Sequence, residues 1–333
     1  MAVSKLIVIV GATGNQGGSV ANTFLSTPGW RVRAVTRNTS SAKAQALATR
    51  GAEVVCADMD DPSTLEQAFQ GANAIFAVSD FWGLYNDPAN KDKPKPGQPL
   101  NVWAAEHETQ QLKNVIDAAS KVPTLERFVL SSLSNATKWS KGEYTHVYHF
   151  DSKAKAEEYG KEKYPDLWLK TSTYQAGWYL SNYSASPLAQ PVKGENGKVQ
   201  FIGNLDLDVK LPFVAAEEDT GPITKALVEE AAGKNIVGYR EWLTLRELVA
   251  IFTEATGLAA EAVQLPKGQS AFELPSELKL GLDDTYAYFN EYGYEGRDDP
   301  TIIHPKDLAS PPKLGTVFDY FKAQDWAKVL GSA

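Results

Sequence analysis

At 333 residues, 43% of them hydrophobic, the chain can bury a large core, as one big domain or as a large one joined to a smaller one. Its 41 acidic and 33 basic side chains leave a net charge of −8 and no basic run that would track a phosphate backbone, which argues against direct nucleic-acid binding. Cys56 is the single cysteine, so no internal disulfide forms, and at most six apolar residues precede Gly11, too few for a secretory core or a membrane span; a soluble, cytoplasmic protein is expected, with nuclear entry left open.

In chain order, the aliphatic run LIVIV at 6–10 reads as a first buried strand that stops at Gly11, followed by RVRAV at 31–35 and EVVCA at 53–57. NAIFAV at 73–78, RFVLSS at 127–132 and LWLKTSTY at 167–174 are the next three. Segments of helical length separate them, starting near 17, 41 and 61 and then spanning 106–121 and 151–164. In the third of these Asp61 is the expected N-cap and Pro62 the first helical residue. Strict alternation predicts an α/β fold with a doubly wound parallel sheet covered on both faces. Beyond 175 the rhythm breaks down. A helix is expected over 243–257, with Thr244 and Glu247 as a capping box and Gly257 as its stop, and a closing amphipathic helix over 316–330. The reading is therefore a dinucleotide-binding domain over 1–175 and a smaller mixed α/β lobe over 176–333, with a soft boundary across which strands can interleave. The proline-rich segment 80–103 follows the fourth strand and reads as a lid over a cofactor pocket or as a mobile surface excursion.

The most specific pattern is VIVGATGNQGGSV, in which a strand runs into Gly11, Gly14 and Gly17 and a helix starts at once. Gly11 permits the tight turn, Gly14 lets backbone approach a pyrophosphate, and Gly17 lets the helix lie close to the strand while its free N–H groups face the anion. Thr13, Asn15 and Gln16 complete this loop as cofactor-binding candidates, joined by Val78 and Ser79 at the end of the fourth strand. The end of the second strand offers Thr36, Arg37 and Asn38 and no carboxylate for a ribose diol, so Arg37 is the candidate for a 2′-phosphate. This makes NADP(H) the expected cofactor, with NAD(H) as a second option. Asp58 and Met59, after the third strand, are placed to meet the adenine edge; Asp58 and Asp61 are equally residues of turns and caps.

Together GATGNQGGSV, VTRN, ADMDDPSTLEQAFQGANAIFAVSDFW and YHFDSKAKAEEY resemble the NmrA-like family, atypical members of the short-chain dehydrogenase/reductase superfamily. The likeness is dense over 5–180 and thinner beyond. It implies an extended Rossmann fold with a smaller C-terminal lobe and a nicotinamide dinucleotide at Gly11 to Gly17. In the best-known members the nucleotide is sensed and a transcription factor or another partner is restrained; other relatives are working NADPH-dependent reductases that use the lysine without the tyrosine.

The superfamily pairs a tyrosine with a lysine four residues on. In YHFDSK the residue four before Lys153 is His149, while Tyr148 is five before it and off the lysine's helical face. An imidazole beside an ammonium is a poor acid at neutral pH, although it can still act as a base. Ser131 and Ser132, at the end of the fifth strand, stand where the superfamily keeps a substrate-binding serine, and serines there are equally common turn formers. His146 and His149 have no cysteine or carboxylate at a matching offset, so no metal is expected, and no G-x-S-x-G elbow supplies a hydrolase nucleophile. The replaced tyrosine tilts the balance towards a nucleotide-sensing regulator that binds a protein partner. The alternative is an NADPH-dependent reductase of a small carbonyl, enone or quinone, with Lys153 as the acid through a water and aromatics of DFWGLY and of 174–183 lining its pocket.

Overall fold

The computed structural model of the protein describes residues 4–271 and 273–331. Six strands follow the expected order: β1 (Lys5–Val10), β2 (Trp30–Thr36), β3 (Glu53–Cys56), β4 (Ala74–Ala77), β5 (Arg127–Ser132) and β6 (Thr171–Ala176). The remaining strands are β7 (Trp178–Tyr179), β8 (Val192–Lys193), β9 (Val199–Gly203), β10 (Lys210–Val214), β11 (Asn235–Gly238), β12 (Glu241–Thr244), β13 (Ala260–Gln264) and β14 (Ile302–Ile303). The main sheet has eight strands in the order β14-β11-β6-β5-β4-β1-β2-β3, with every neighbouring pair parallel. The chain thus returns to this sheet twice from beyond residue 175. Two three-stranded sheets, β12-β10-β7 and β13-β9-β8, carry the remainder.

The α/β expectation is borne out, and β1 shows why an unbroken apolar run is required. Leu6, Val8 and Val10 join a core with α3 (Pro62–Phe69), α5 (Leu100–Ser120) and α7 (Tyr148–Lys163) on one face of the sheet. Ile7 and Ile9 join another core on the opposite face, against α1 (Asn15–Leu25) and the helix Ala216–Glu229. Because side chains alternate across a strand, a strand covered on both sides needs apolar residues at every position. A third core, rich in buried aromatics such as Phe201, Phe213, Phe252 and Phe289, holds the smaller sheets and the helix Ser276–Tyr292 together.

Local capping follows the sequence closely. Asp61 accepts the Ser63 N–H ahead of Pro62, and Thr244 and Glu247 close a reciprocal capping box. That helix, Leu245–Thr256, ends on Gly257 at φ 72°, a left-handed cap that favours glycine.

Most boundaries shift by one to three residues, and three regions differ more. The sixth strand starts at Thr171 because Pro165 opens a short helix, Pro165–Trp168, whose first position tolerates proline. The closing helix divides into Val317–Ala323 and Trp326–Val329, with Asp325 capping the second piece. The largest difference is in 80–103. Its aromatic part folds as α4 (Phe81–Asn86), capped by Asp80, with Phe81 buried against Ala104 and Ala105, and α5 begins at Leu100, directly after Pro99, six residues before the expected 106. Only the polar stretch between them lacks regular helix beyond a 3₁₀ turn, Pro88–Asn90.

Helix Ala216–Glu229 crosses α1 at Gly221, whose N–H donates to Ser19 Oγ at 2.9 Å. A Cβ at Gly221 would lie 2.3 Å from the Ser19 carbonyl oxygen, whereas one at Gly18 would meet nothing closer than 3.6 Å. Gly221→Ala is expected to cost about 1–3 kcal/mol by overpacking, and Gly18→Ala close to nothing, when the two variants are compared by chemical denaturation.

Candidate functional site

Strand order reverses between β1 and β4, and in open parallel sheets this reversal opens a crevice beyond the carboxyl ends of the strands. The glycine loop lies there. Gly11 has φ 73°, and a Cβ on it would come within 2.8 Å of Val78 Cγ1. A Cβ on Gly17 would sit 2.2 Å from the Gly11 carbonyl oxygen, so α1 packs against the turn only because residue 17 has no side chain.

Gly14 is different. Its backbone is extended (φ −88°, ψ −179°), and a Cβ there would meet only the Gly11 carbonyl oxygen, at 3.4 Å. The fold therefore has little need of glycine at this position, and the bare backbone leaves room above the start of α1. No side chain caps that helix and no acidic residue stands in its first turn, so its N–H dipoles face the crevice. Thr13 is half-buried beside the exposed Gly14 and Asn15. Gln16 is only 7% exposed; its Nε2 donates to the Tyr179 hydroxyl at 2.5 Å, and its Oε1 has no hydrogen-bond partner among the described residues. Burial pushes the Tyr179 phenol up to about 12, although the Gln16 bond works against this, so the group stays neutral. An uncapped helix N-terminus, open space at Gly14 and an unpartnered buried amide oxygen fit a pyrophosphate-bridged dinucleotide.

At the end of β2, Arg37 is exposed and its guanidinium has no hydrogen-bond or ion-pair partner among the described residues. Asp58 is committed to a turn: one carboxylate oxygen accepts the Asp60 N–H at 3.0 Å. Met59 packs on the core beneath the sheet, and its carbonyl accepts from Asn114 Nδ2 at 2.8 Å.

A buried polar cluster joins the segment after β4 to α5 and α7. Lys153 Nζ donates to Glu108 Oε1 at 2.7 Å and to the His149 carbonyl at 3.2 Å. Ser79 Oγ donates to the same Glu108 oxygen at 2.7 Å, and Ser152 Oγ donates to the other. Glu108 is fully buried, so this carboxylate is held by three donors in place of water. Sequence reading singled out Lys153 and Ser79 and missed Glu108 and Ser152. The signal was present in the buried stripe of α5, in which Ala104, Ala105, Glu108, Gln111, Leu112 and Val115 recur at helical spacing, so that a carboxylate falls on the inward face.

Because α7 begins at Tyr148, His149 lies one regular turn before Lys153. The His149 ring packs 5.2 Å from Trp82 and 5.9 Å from Phe81, and makes no hydrogen bond among the described residues. Burial, reinforced by the Lys153 ammonium, lowers its pKa to about 3, so the ring is neutral at physiological pH. Tyr148 instead packs against the cluster of Phe81, Ala104 and Ala105, and its ring meets that of His146 edge to face at 5.8 Å. Ser131 and Ser132 are each 1% exposed; Ser132 Oγ donates to Glu157 Oε2 at 2.9 Å, and Ser131 is paired through its backbone with Tyr174 of β6. His146 is bonded to Asp284 at 2.8 Å.

A histidine held neutral in the fold but free to protonate once unfolded makes stability fall as pH drops through the interval from its unfolded pKa, about 6.5, towards its folded value of about 3. Urea unfolding near pH 7 and near pH 5 is therefore expected to show a smaller acid loss of stability in His149→Phe than in the wild type. Equal losses would show that this ring is protonated as readily in the fold as outside it.

The chain matches the model of the NmrA-like family over residues 3–321. It is 30% identical over 339 aligned positions to the NmrA-like family domain-containing oxidoreductase cpsB of Aspergillus campestris, an alignment covering 97% of this chain and 90% of that one. Its fold is similar to that of NmrA, a negative transcriptional regulator solved in complex with NADP (TM-score 0.75, 19% identity, 98% of this chain and 97% of that one). It is also similar to the NADPH-dependent quinone oxidoreductase QOR2 of Escherichia coli, solved with NADPH (TM-score 0.64, 24% identity, 95% and 98%). With the family model reaching from before β1 to within the closing helices, and a relative matched along nearly the whole chain, the protein belongs to the NmrA-like family.

Proposed function

We propose that the protein binds NADP(H) along the carboxyl edge of its main sheet and is an NADPH-dependent oxidoreductase of a small unsaturated acceptor, such as a carbonyl, enone or quinone. The observation that carries this reading is the Lys153–Glu108 pair, which stands one helical turn from a half-buried ring at the mouth of the dinucleotide crevice. Support also comes from the oxidoreductase relative and from the NADP(H) complexes of proteins with the same fold.

In this reading Gly11, Thr13, Gly14, Asn15, Gln16 and Gly17 hold the pyrophosphate, Arg37 forks onto the 2′-phosphate, and Val78 and Ser79 border the nicotinamide. The Asp58 turn and Met59 flank the adenine. When bound, the reduced nicotinamide supplies a hydride. An ammonium has three protons; Lys153 directs one to Glu108 and one to the His149 carbonyl, which leaves the third for a ribose hydroxyl or a bridging water. Through that water Lys153 can return a proton to an acceptor oxygen, while neutral His149 serves as wall or base. Ser131 and Ser132 buttress β5 and α7 from within.

A second reading is favoured by the missing phenol and by the likeness to NmrA: occupancy by NADP(H) alters the surface formed by 80–103, and a partner protein, a transcription factor among the options, responds to it. Following NADPH absorbance with a panel of quinones, enones and aldehydes separates the two. Turnover that falls about 10²-fold or more in Lys153→Ala supports the enzyme. Binding of NADP⁺ and NADPH with different affinities and no turnover supports the regulator. Arg37→Ala is expected to weaken NADP(H) about tenfold or more while sparing NAD(H); equal loss of both would refute the 2′-phosphate assignment.

A further inference from the structure

We propose that the groove between segment 91–100 and the helix Ser276–Tyr292 is a subsite for an apolar chain carried by the acceptor, so that a quinone bearing an alkyl side chain is preferred to a bare one. This rests on the reductase reading and extends it beyond the reacting ring.

The groove has a volume of about 580 Å³, inside the range of about 300–1,000 Å³ usual for small-molecule sites. Pro94, Pro99 and Leu100 line it from one side and Leu280 from the other. Leu280 is 46% exposed, so its side chain is open to an occupant. The polar groups nearby are largely turned on one another. The Lys95 N–H donates to Gln98 Oε1 at 3.1 Å, the Gln98 N–H donates back to the Lys95 carbonyl at 2.9 Å, and Gln98 Nε2 donates to Glu106. Asn101 Nδ2 donates to the Glu277 carbonyl at 3.1 Å and ties the segment to the helix. Pro94 and Pro99 have no N–H to offer. A peptide laid here would bring amide groups in need of partners, whereas a hydrocarbon chain needs none and gains by leaving water.

The groove also lies beside the reacting centre. Burial, and after it the charge of Glu277, raises the Tyr85 phenol, so this groove residue stands close to the aromatic cluster. Tyr85 is stacked on Phe81 at 6.3 Å, and Phe81 packs 5.9 Å from His149, one helical turn before Lys153. Farther along the same helix, a Cβ on Gly281 would come within 3.2 Å of the His146 carbonyl oxygen, and Asp284 bonds the His146 ring at 2.8 Å. Positions 277, 280, 281 and 284 share one helical face, which therefore runs from the groove to the start of α7. In the reaction a hydride from the nicotinamide and a proton relayed through water by Lys153 convert the quinone to its hydroquinone, and NADPH leaves as NADP⁺. The chain takes no part in that step and contributes binding alone, which lowers KM without changing kcat.

Two measurements test the proposal. With NADPH, 2-octyl-1,4-benzoquinone is expected to show a kcat/KM at least about tenfold above that of 2-methyl-1,4-benzoquinone, through KM, since each methylene removed from water favours binding and an open groove recovers part of that gain. The ratio should fall to about twofold or less in Leu280→Gln and persist in Leu280→Met, which keeps an apolar side chain of similar size. Equal kcat/KM for the two quinones, or a ratio unchanged in Leu280→Gln, would overturn it. Without turnover, calorimetric titration in the presence of NADP⁺ is expected to show 4-octylphenol binding at least about tenfold tighter than 4-methylphenol, with the same dependence on residue 280. Equal affinities would show that the groove takes no chain. A chain-length preference in binding with no reduction of any quinone would leave the groove standing and remove the reductase reading beneath it, and reduction indifferent to chain length would do the reverse.

Discussion

A lysine ammonium and a glutamate carboxylate 2.7 Å apart, the carboxylate fully buried and the lysine nearly so, set the terms for the crevice. Taking two charges out of solvent is costly, and mutual attraction offsets the cost only when the remaining lone pairs also find donors. Glu108 meets that condition through Ser79 and Ser152. The pair consequently locks three elements together: the end of β4 through Ser79, the middle of α5 through Glu108, and the first turns of α7 through Ser152 and Lys153. Any loosening of one would leave a buried charge without its partner, which fixes the relative placement of these elements.

The same arrangement explains the surroundings of His149. Once Lys153 is fixed on the inward face of α7, the residue one turn earlier must share that face, and the aromatic half of 80–103 packs over it. The half-buried imidazole is then flanked by Phe81, Trp82 and Phe150 and lies near an ammonium, two influences that both disfavour its charged form. The residue one turn before Lys153 is therefore part of an aromatic wall.

On the other side of the crevice, close approach is the governing constraint. Gly11 and Gly17 are demanded by the fold itself, since side chains there would collide with Val78 or with the loop backbone, whereas Gly14 is left bare where the protein has no steric need of it. Gln16 links this loop to β7, so the dinucleotide crevice and the smaller sheets are in direct hydrogen-bonded contact. A change at the loop has a short path to the smaller sheets.

The amino-acid sequence alone determined what local sterics decide. The apolar run of β1, the glycine spacing, Asp61 with Pro62, and the Thr244 capping box each express a φ/ψ preference or a hydrogen bond spanning a few residues, and all were legible before any coordinate. The family resemblance was legible for the same reason, because its motifs are local. Only the tertiary structure decided that Glu108 meets Lys153 across 45 residues, that Gln16 meets Tyr179 across 163, and that β11 and β14 complete the main sheet. It also decided which half of 80–103 folds, since DFWGLY becomes a helix only because Ala104 and Ala105 offer a surface on which Phe81 is buried. Periodicity says that a side chain faces inward; it does not say what it will meet there, because that depends on which helix faces the sheet brings together.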